Sequence, residues 1–94
     1  MKRFYLLRHE DVHDNTGVGV VAEGIIFDFG MAVMTWLTDD PTVTTFQTIK
    51  SVKKIHGHKG RTEVVIEDED DRFKECKEKV REIKSNRKNR KKDE

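Results

Sequence analysis

The chain has 94 residues, 39% of them charged and 34% hydrophobic, with a formal net charge of +1 at pH 7. That length holds one domain with a small core. The near balance of charge excludes a whole-molecule pull toward polyanions, so any such pull must come from a local patch.

The charges are unevenly spread. Residues 1–66 hold 8 basic and 8 acidic side chains, whereas residues 67–94 hold 11 basic and 10 acidic ones. The chain therefore divides into a globular part, residues 1–67, and a charged C-terminal helix with a basic tail, residues 68–94. Cys76 is the single cysteine, which excludes an intrachain disulfide and points to a reducing, cytoplasmic setting. The opening Met1-Lys2-Arg3-Phe4-Tyr5-Leu6-Leu7-Arg8 has too short an apolar run for a signal peptide. No apolar stretch approaches the ~18 residues of a membrane span, so no membrane partner is expected.

In chain order, Arg3 to Arg8 reads as a short extended segment. Its contiguous Phe4, Tyr5, Leu6 and Leu7 can be covered on both faces. His9 to Thr16 is polar, and Asp14-Asn15 signals a turn. Val18 to Phe27 is a strand, Asp28-Phe29-Gly30 a turn and Met31 to Thr38 a returning strand, together a hairpin. Gly24 inside the first of these strands marks a bulge, a bend or a close backbone approach, and a small barrel favours the bend. After the Asp39-Asp40-Pro41 turn, Thr42 to Phe46 is a β-branched strand. Thr48 then caps a short helix with Ile49, Val52 and Ile55 on one stripe, closed by Gly57. Arg61 to Glu67 is the last strand.

Five acids follow, Glu67 to Asp71, and then Phe73, Cys76, Val80 and Ile83 recur as one stripe of an amphipathic helix. Acids at its start and bases at its end suit the helix dipole. From Ser85 onward the absence of apolar residues predicts fraying or disorder. The predicted fold is mainly β: a small five-stranded antiparallel barrel of SH3-like or OB-like type, with a short helical turn and a charged C-terminal helix. An open antiparallel sheet with that helix packed across it is the alternative.

The chain resembles a family of small phage and prophage proteins. The resemblance rests on Arg8-His9-Glu10-Asp11, Gly17-Val18-Gly19-Val20-Val21-Ala22-Glu23-Gly24, Phe27, Gly30, Trp36 and Ile55-His56-Gly57-His58-Lys59-Gly60-Arg61-Thr62. It covers about residues 4–66 and leaves the charged extension outside. It implies an origin and a compact barrel, and it supplies no mechanism. Members of that family often carry a small residue at the position of His13.

Three motifs bear on chemistry. His9-Glu10-Asp11-Val12-His13 matches H-E-x-x-H, but a metalloprotease needs that spacing on a helix, and here it follows an extended run and precedes a turn. A loop-borne metal site could pair His9 or His13 with His56 or His58. Gly17-Val18-Gly19-Val20-Val21-Ala22 matches a dinucleotide fingerprint, but a strand follows it where the motif needs a helix. The loop Ile55 to Arg61 is the richest. Gly57 and Gly60 let the backbone approach a ligand, while His56, His58, Lys59 and Arg61 surround it.

Arg8, Glu10 and Asp11 form a wall of the same pocket if the first loop folds near residues 56–61, His9 is a further candidate there, and Lys50, Lys53 and Lys54 extend the basic face. The competing account is a glycine turn with solvated bases. Trp36 and Phe46 read as core, and Cys76 as packed and unreactive.

The predicted function is a non-enzymatic binding module. It would contact a polyanion, nucleic acid or a nucleotide, through the Lys50 to Arg61 face and the basic run Lys84 to Lys92. It needs no cofactor and no metal. Two alternatives stand beside it. One is a module that engages a host protein, or a second copy through Phe73, Cys76, Val80 and Ile83. The other is a metal-dependent hydrolase built on His9, His13, His56 and His58.

Overall fold

The computed structural model describes residues 1–9, 19–56 and 62–92. The element order is β1 (Lys2–Arg8), β2 (Gly19–Ile26), β3 (Ala32–Trp36), β4 (Val43–Phe46), α1 (Ile49–His56), β5 (Thr62–Ile66) and α2 (Phe73–Lys92). The class is mainly β. All five strands lie antiparallel in one sheet, in the order β4-β3-β2-β1-β5.

The sheet is open. The expected barrel would need the edges β4 and β5 to pair, and among the described residues they do not. The space that a curled sheet would enclose is filled instead by helices, one on each face. Alternation along β1 sends Phe4 and Leu6 to one face and Tyr5 and Leu7 to the other. On the first face Phe4, Leu6, Ala22, Ala32, Met34, Phe46 and Ile66 pack with Val52 of α1. On the second, Tyr5 and Val65 pack with Cys76 of α2, flanked by Leu7, Val20, Phe73 and Val80. The molecule is thus three layers, α1, sheet and α2. The contiguous apolar run of β1 is covered on both sides, as its sequence implied.

Two irregularities fit the sheet to its helices. Leu6 pairs with Ala22 and Leu7 with Val20, so Val21 is the extra residue of a bulge and turns into the α1 core. The bend expected at Gly24 is not the reason for that glycine. Gly24 lies opposite Phe4, and a Cβ there would come within 2.4 Å of the Phe4 ring and of the Val33 carbonyl oxygen. It provides a close approach.

The β2–β3 hairpin closes as predicted at Asp28-Phe29-Gly30. Phe27 N–H donates to the Met31 carbonyl at 2.8 Å and Gly30 N–H to the Phe27 carbonyl at 2.9 Å. Gly30 takes φ +116°, the conformation this three-residue loop demands.

The helices depart from expectation in two details. Ile55, expected on the stripe with Ile49 and Val52, is exposed, and the half-buried His56 takes its place beside half-buried Ile49 and buried Val52. A spacing of three drifts off a 3.6-residue face, whereas 49, 52 and 56 stay on it. Helix α2 runs on to Lys92 rather than fraying from Ser85. Lysine and arginine are good helix formers and sit well at a helix C-terminus. No helix among the described residues is long and apolar enough to cross a membrane.

Candidate functional site

The outer face of α1 is the basic surface that the structure presents. The stretch 41–62 contains Lys50, Lys53, Lys54, Lys59 and Arg61 and no acidic residue. Within α1 the inward face of buried Val52 and half-buried Ile49 and His56 turns Lys50, Lys53 and Lys54 outward, where they occupy adjacent turns of one exposed face. Among the described residues none of the three is paired with a carboxylate. Lys53, Lys54 and His56 also lie in the last turn, where positive charge is favoured by the helix dipole.

His56 does not share the outer face with these lysines. Its ring stands edge-on to Trp36, at 5.3 Å between centroids, and to Phe46, at 5.8 Å. Both aromatics belong to the α1 side of the sheet. His56 thereby anchors the C-terminal end of the helix and sets the direction in which the lysines point. Trp36 and Phe46 are packing residues, as their scarcity in the sequence suggested.

The other predicted members are spread over both layers. Arg8 is 9% exposed, and its backbone pairs with Thr62 on the face that α1 covers. His9, its neighbour, goes to the opposite side. Its Nε2 lies 2.6 Å from Glu63 Oε2, and Glu63 is in register with Leu7 on the α2 face. Arg8 and His9 thus lie on opposite faces of the sheet, and Glu10 and Asp11, the other members of the expected wall, lie outside the described residues. Gly57, His58, Lys59 and Arg61, together with His13, lie outside the described residues. Among the described residues no three histidine, cysteine or acidic side chains cluster as metal ligands would.

The α2 face carries a charge network that sequence reasoning did not single out. Arg72 donates to Glu63 at 2.5 Å and forks onto Asp70 through Nε at 3.1 Å and a terminal nitrogen at 2.7 Å. The Asp70 carboxylate also accepts the Arg72 backbone N–H at 2.9 Å. These bonds hold the Asp70 pKa down from its ordinary 3.8 to about 2. The same guanidinium, helped by His9, lowers that of Glu63. The signal was present in Asp70-Asp71-Arg72, where a base closes an acid run just before a helix. The network ties β5 to the start of α2. Behind it, burial raises the pKa of the Cys76 thiol, consistent with a packed, unreactive side chain.

The stripe Phe73, Cys76, Val80 and Ile83 is mostly spent within the chain. Phe73 stacks at a tilt on Tyr5 with centroids 5.0 Å apart, and Cys76 and Val80 pack beside it. Ile83 is partly exposed. A second copy docked on this stripe would have to displace the chain's own sheet.

A family model described as Acb5 phage protein matches residues 1–68. The match spans β1 through β5 and stops before α2. Comparison with curated proteins and with solved structures finds no match. With nearly three quarters of its length matched, the chain belongs to the Acb5 phage protein family.

Proposed function

We propose that this chain is a non-enzymatic module that binds a polyanion, nucleic acid or a nucleotide, on the outer face of α1. The observation that carries this reading is the row of Lys50, Lys53 and Lys54. These are three exposed ammonium groups on one helix face, free of carboxylate partners among the described residues and set in a stretch without acids. Such a row meets consecutive phosphates as point charges. Lys59 and Arg61 follow in sequence and add to the same charge. The basic end of α2 belongs to the other layer and would contribute a separate, second contact. A single buried cysteine supports a cytoplasmic setting for this activity.

The test is a fluorescence-anisotropy titration with a labelled single-stranded oligonucleotide over a range of salt. Each phosphate neutralised on a single strand contributes about −0.7 to the slope of log K against log salt. Replacing Lys50, Lys53 and Lys54 together by alanine is expected to weaken binding and to flatten that slope by about 2. Unchanged affinity and slope in the triple variant would remove the reading.

A further inference from the structure

The α2 face of the sheet is only half covered. Helix α2 lies over β1, β5 and the start of β2, through Tyr5, Leu7, Val20 and Val65. The other half, formed by β2, β3 and β4, carries an apolar strip. Ile25 is in register with Val33, and Val33 with Thr45. Val43 faces the same way beside Thr35, and Phe27 and Met31 continue the alternation toward the hairpin tip. Ile25, Phe27, Met31 and Val43 are 40%, 42%, 46% and 67% exposed. Beyond them Phe29 is 98% exposed at the tip of a turn held by two backbone hydrogen bonds.

Among these residues lies a groove of about 390 Å³, bounded by Ile25, Val33, Thr35 and Val43 and rimmed by Arg3 and Glu23. We infer that this half-face is the contact surface for a second copy of the chain, two-fold related, with each hairpin laid over the other's groove. Three features select a second copy over another partner.

The first is charge. The rim holds one cation and one anion, on neighbouring strands. Among the described residues Arg3 makes no ion pair, its guanidinium donating to the Tyr5 hydroxyl at 3.1 Å, and Glu23 has none either. A two-fold axis sets Arg3 of each copy against Glu23 of the other, so the surface is complementary to itself.

The second is the pairing of knob and hole. A groove lined by aliphatic side chains and a fully exposed phenylalanine on a hydrogen-bonded turn occur on one molecule, and a buried aromatic anchor is the usual centre of an interface. The charges at the tip are already met within the chain. The N-terminal ammonium pairs with Asp28 at 2.5 Å and Lys2 with Glu69 at 3.1 Å. The tip is therefore neutral and apolar, which does not suit an anionic partner.

The third is height. Helix α2 stands above the sheet by about the 10 Å that separates two stacked sheets. Its flank, with Val80, Ile83 and Lys84, borders the strip beside Glu23, Thr35 and Trp36. The partner's hairpin half fits into the step beside α2, and the two helices act as shoulders that stop the sheets from sliding. Contact is closed, and the two α1 faces remain outside it.

The experiment is sedimentation equilibrium of the full chain at micromolar concentration, with circular dichroism to confirm folding. The unmodified chain is expected at twice 11.0 kDa. Phe29→Asp and Val33→Lys should each sediment as an 11.0 kDa monomer with an unchanged dichroism spectrum. Arg3→Glu and Glu23→Arg should each weaken association tenfold or more, and the two together should restore most of it. A monomeric unmodified chain would overturn the inference. So would an association that survives both Phe29→Asp and Val33→Lys, or a mass above that of a dimer.

Discussion

At Gly24 the ring of Phe4 lies where a side chain would begin. The missing methyl lets β1 present a phenylalanine to the α1 core while β3 keeps its carbonyl close on the other side. Alanine there has to push a fully buried ring or a strand backbone, and neither yields easily in a packed interior. Gly24→Ala is therefore expected to destabilise the fold by about 1–3 kcal/mol, the range of core overpacking, read as a lower urea midpoint at unchanged slope. That this glycine was special could be read from the sequence. Which neighbour it admits could not, because Phe4 comes from another strand and only the register of β1 against β2 brings them together. Val21 repeats the lesson. It looked like one more alternating strand residue, and a single inserted position turned it into the α1 core. Arg8 and His9 do the same for the candidate site: adjacent in sequence, they part to opposite layers because strand alternation separates neighbours.

The two helices differ in what holds them. Helix α1 is short and is locked by Val52 below and by His56 between two aromatic rings. Its lysines were legible because a charged face opposite an apolar one needs only helical spacing. Helix α2 is long, and it is tied to the sheet by Phe73, Cys76 and Val80 and by the Glu63–Arg72–Asp70 network at its start. Its stripe was legible too, but the surface it covers was not, since Tyr5 and Val65 come from distant strands.

The network makes this docking sensitive to acid. Both carboxylates have pKa values below their ordinary 4.5 and 3.8, that of Asp70 at about 2. Their stabilisation is complete above the ordinary carboxylate range and is lost as pH falls through the depressed values. On acidification from about pH 4.5 toward 2, stability should decline, followed as a falling thermal midpoint. Arg72→Ala should be less stable at neutral pH and show a shallower decline over the same window. Equal slopes for the two proteins would refute the account.

Across the whole molecule, five strands and their order along the chain were legible because β-branched runs and turn residues are local signals. Whether they curl into a barrel or lie open was not, because it depends on β4 meeting β5, which no local pattern encodes. The lysine row and the β2–β3–β4 half-face lie on opposite layers, so the proposed polyanion binding and the inferred self-association should be separable. Phe29→Asp should leave the salt slope of oligonucleotide binding unchanged. The family match, residues 1–68, ends before α2, the helix that covers half of one sheet face.

The central place of β1 has a further consequence. It hydrogen-bonds β2, which follows it closely, and β5, which arrives only after α1 has crossed the sheet. Strand β5 and α2 are then a detachable unit that slots against one border and one side of a platform made by everything before it. Cut between residues 56 and 62, the chain should behave as two halves that find each other in solution. Neither piece alone should show the tertiary signal of the intact protein, and mixing them in equal amounts should bring it back.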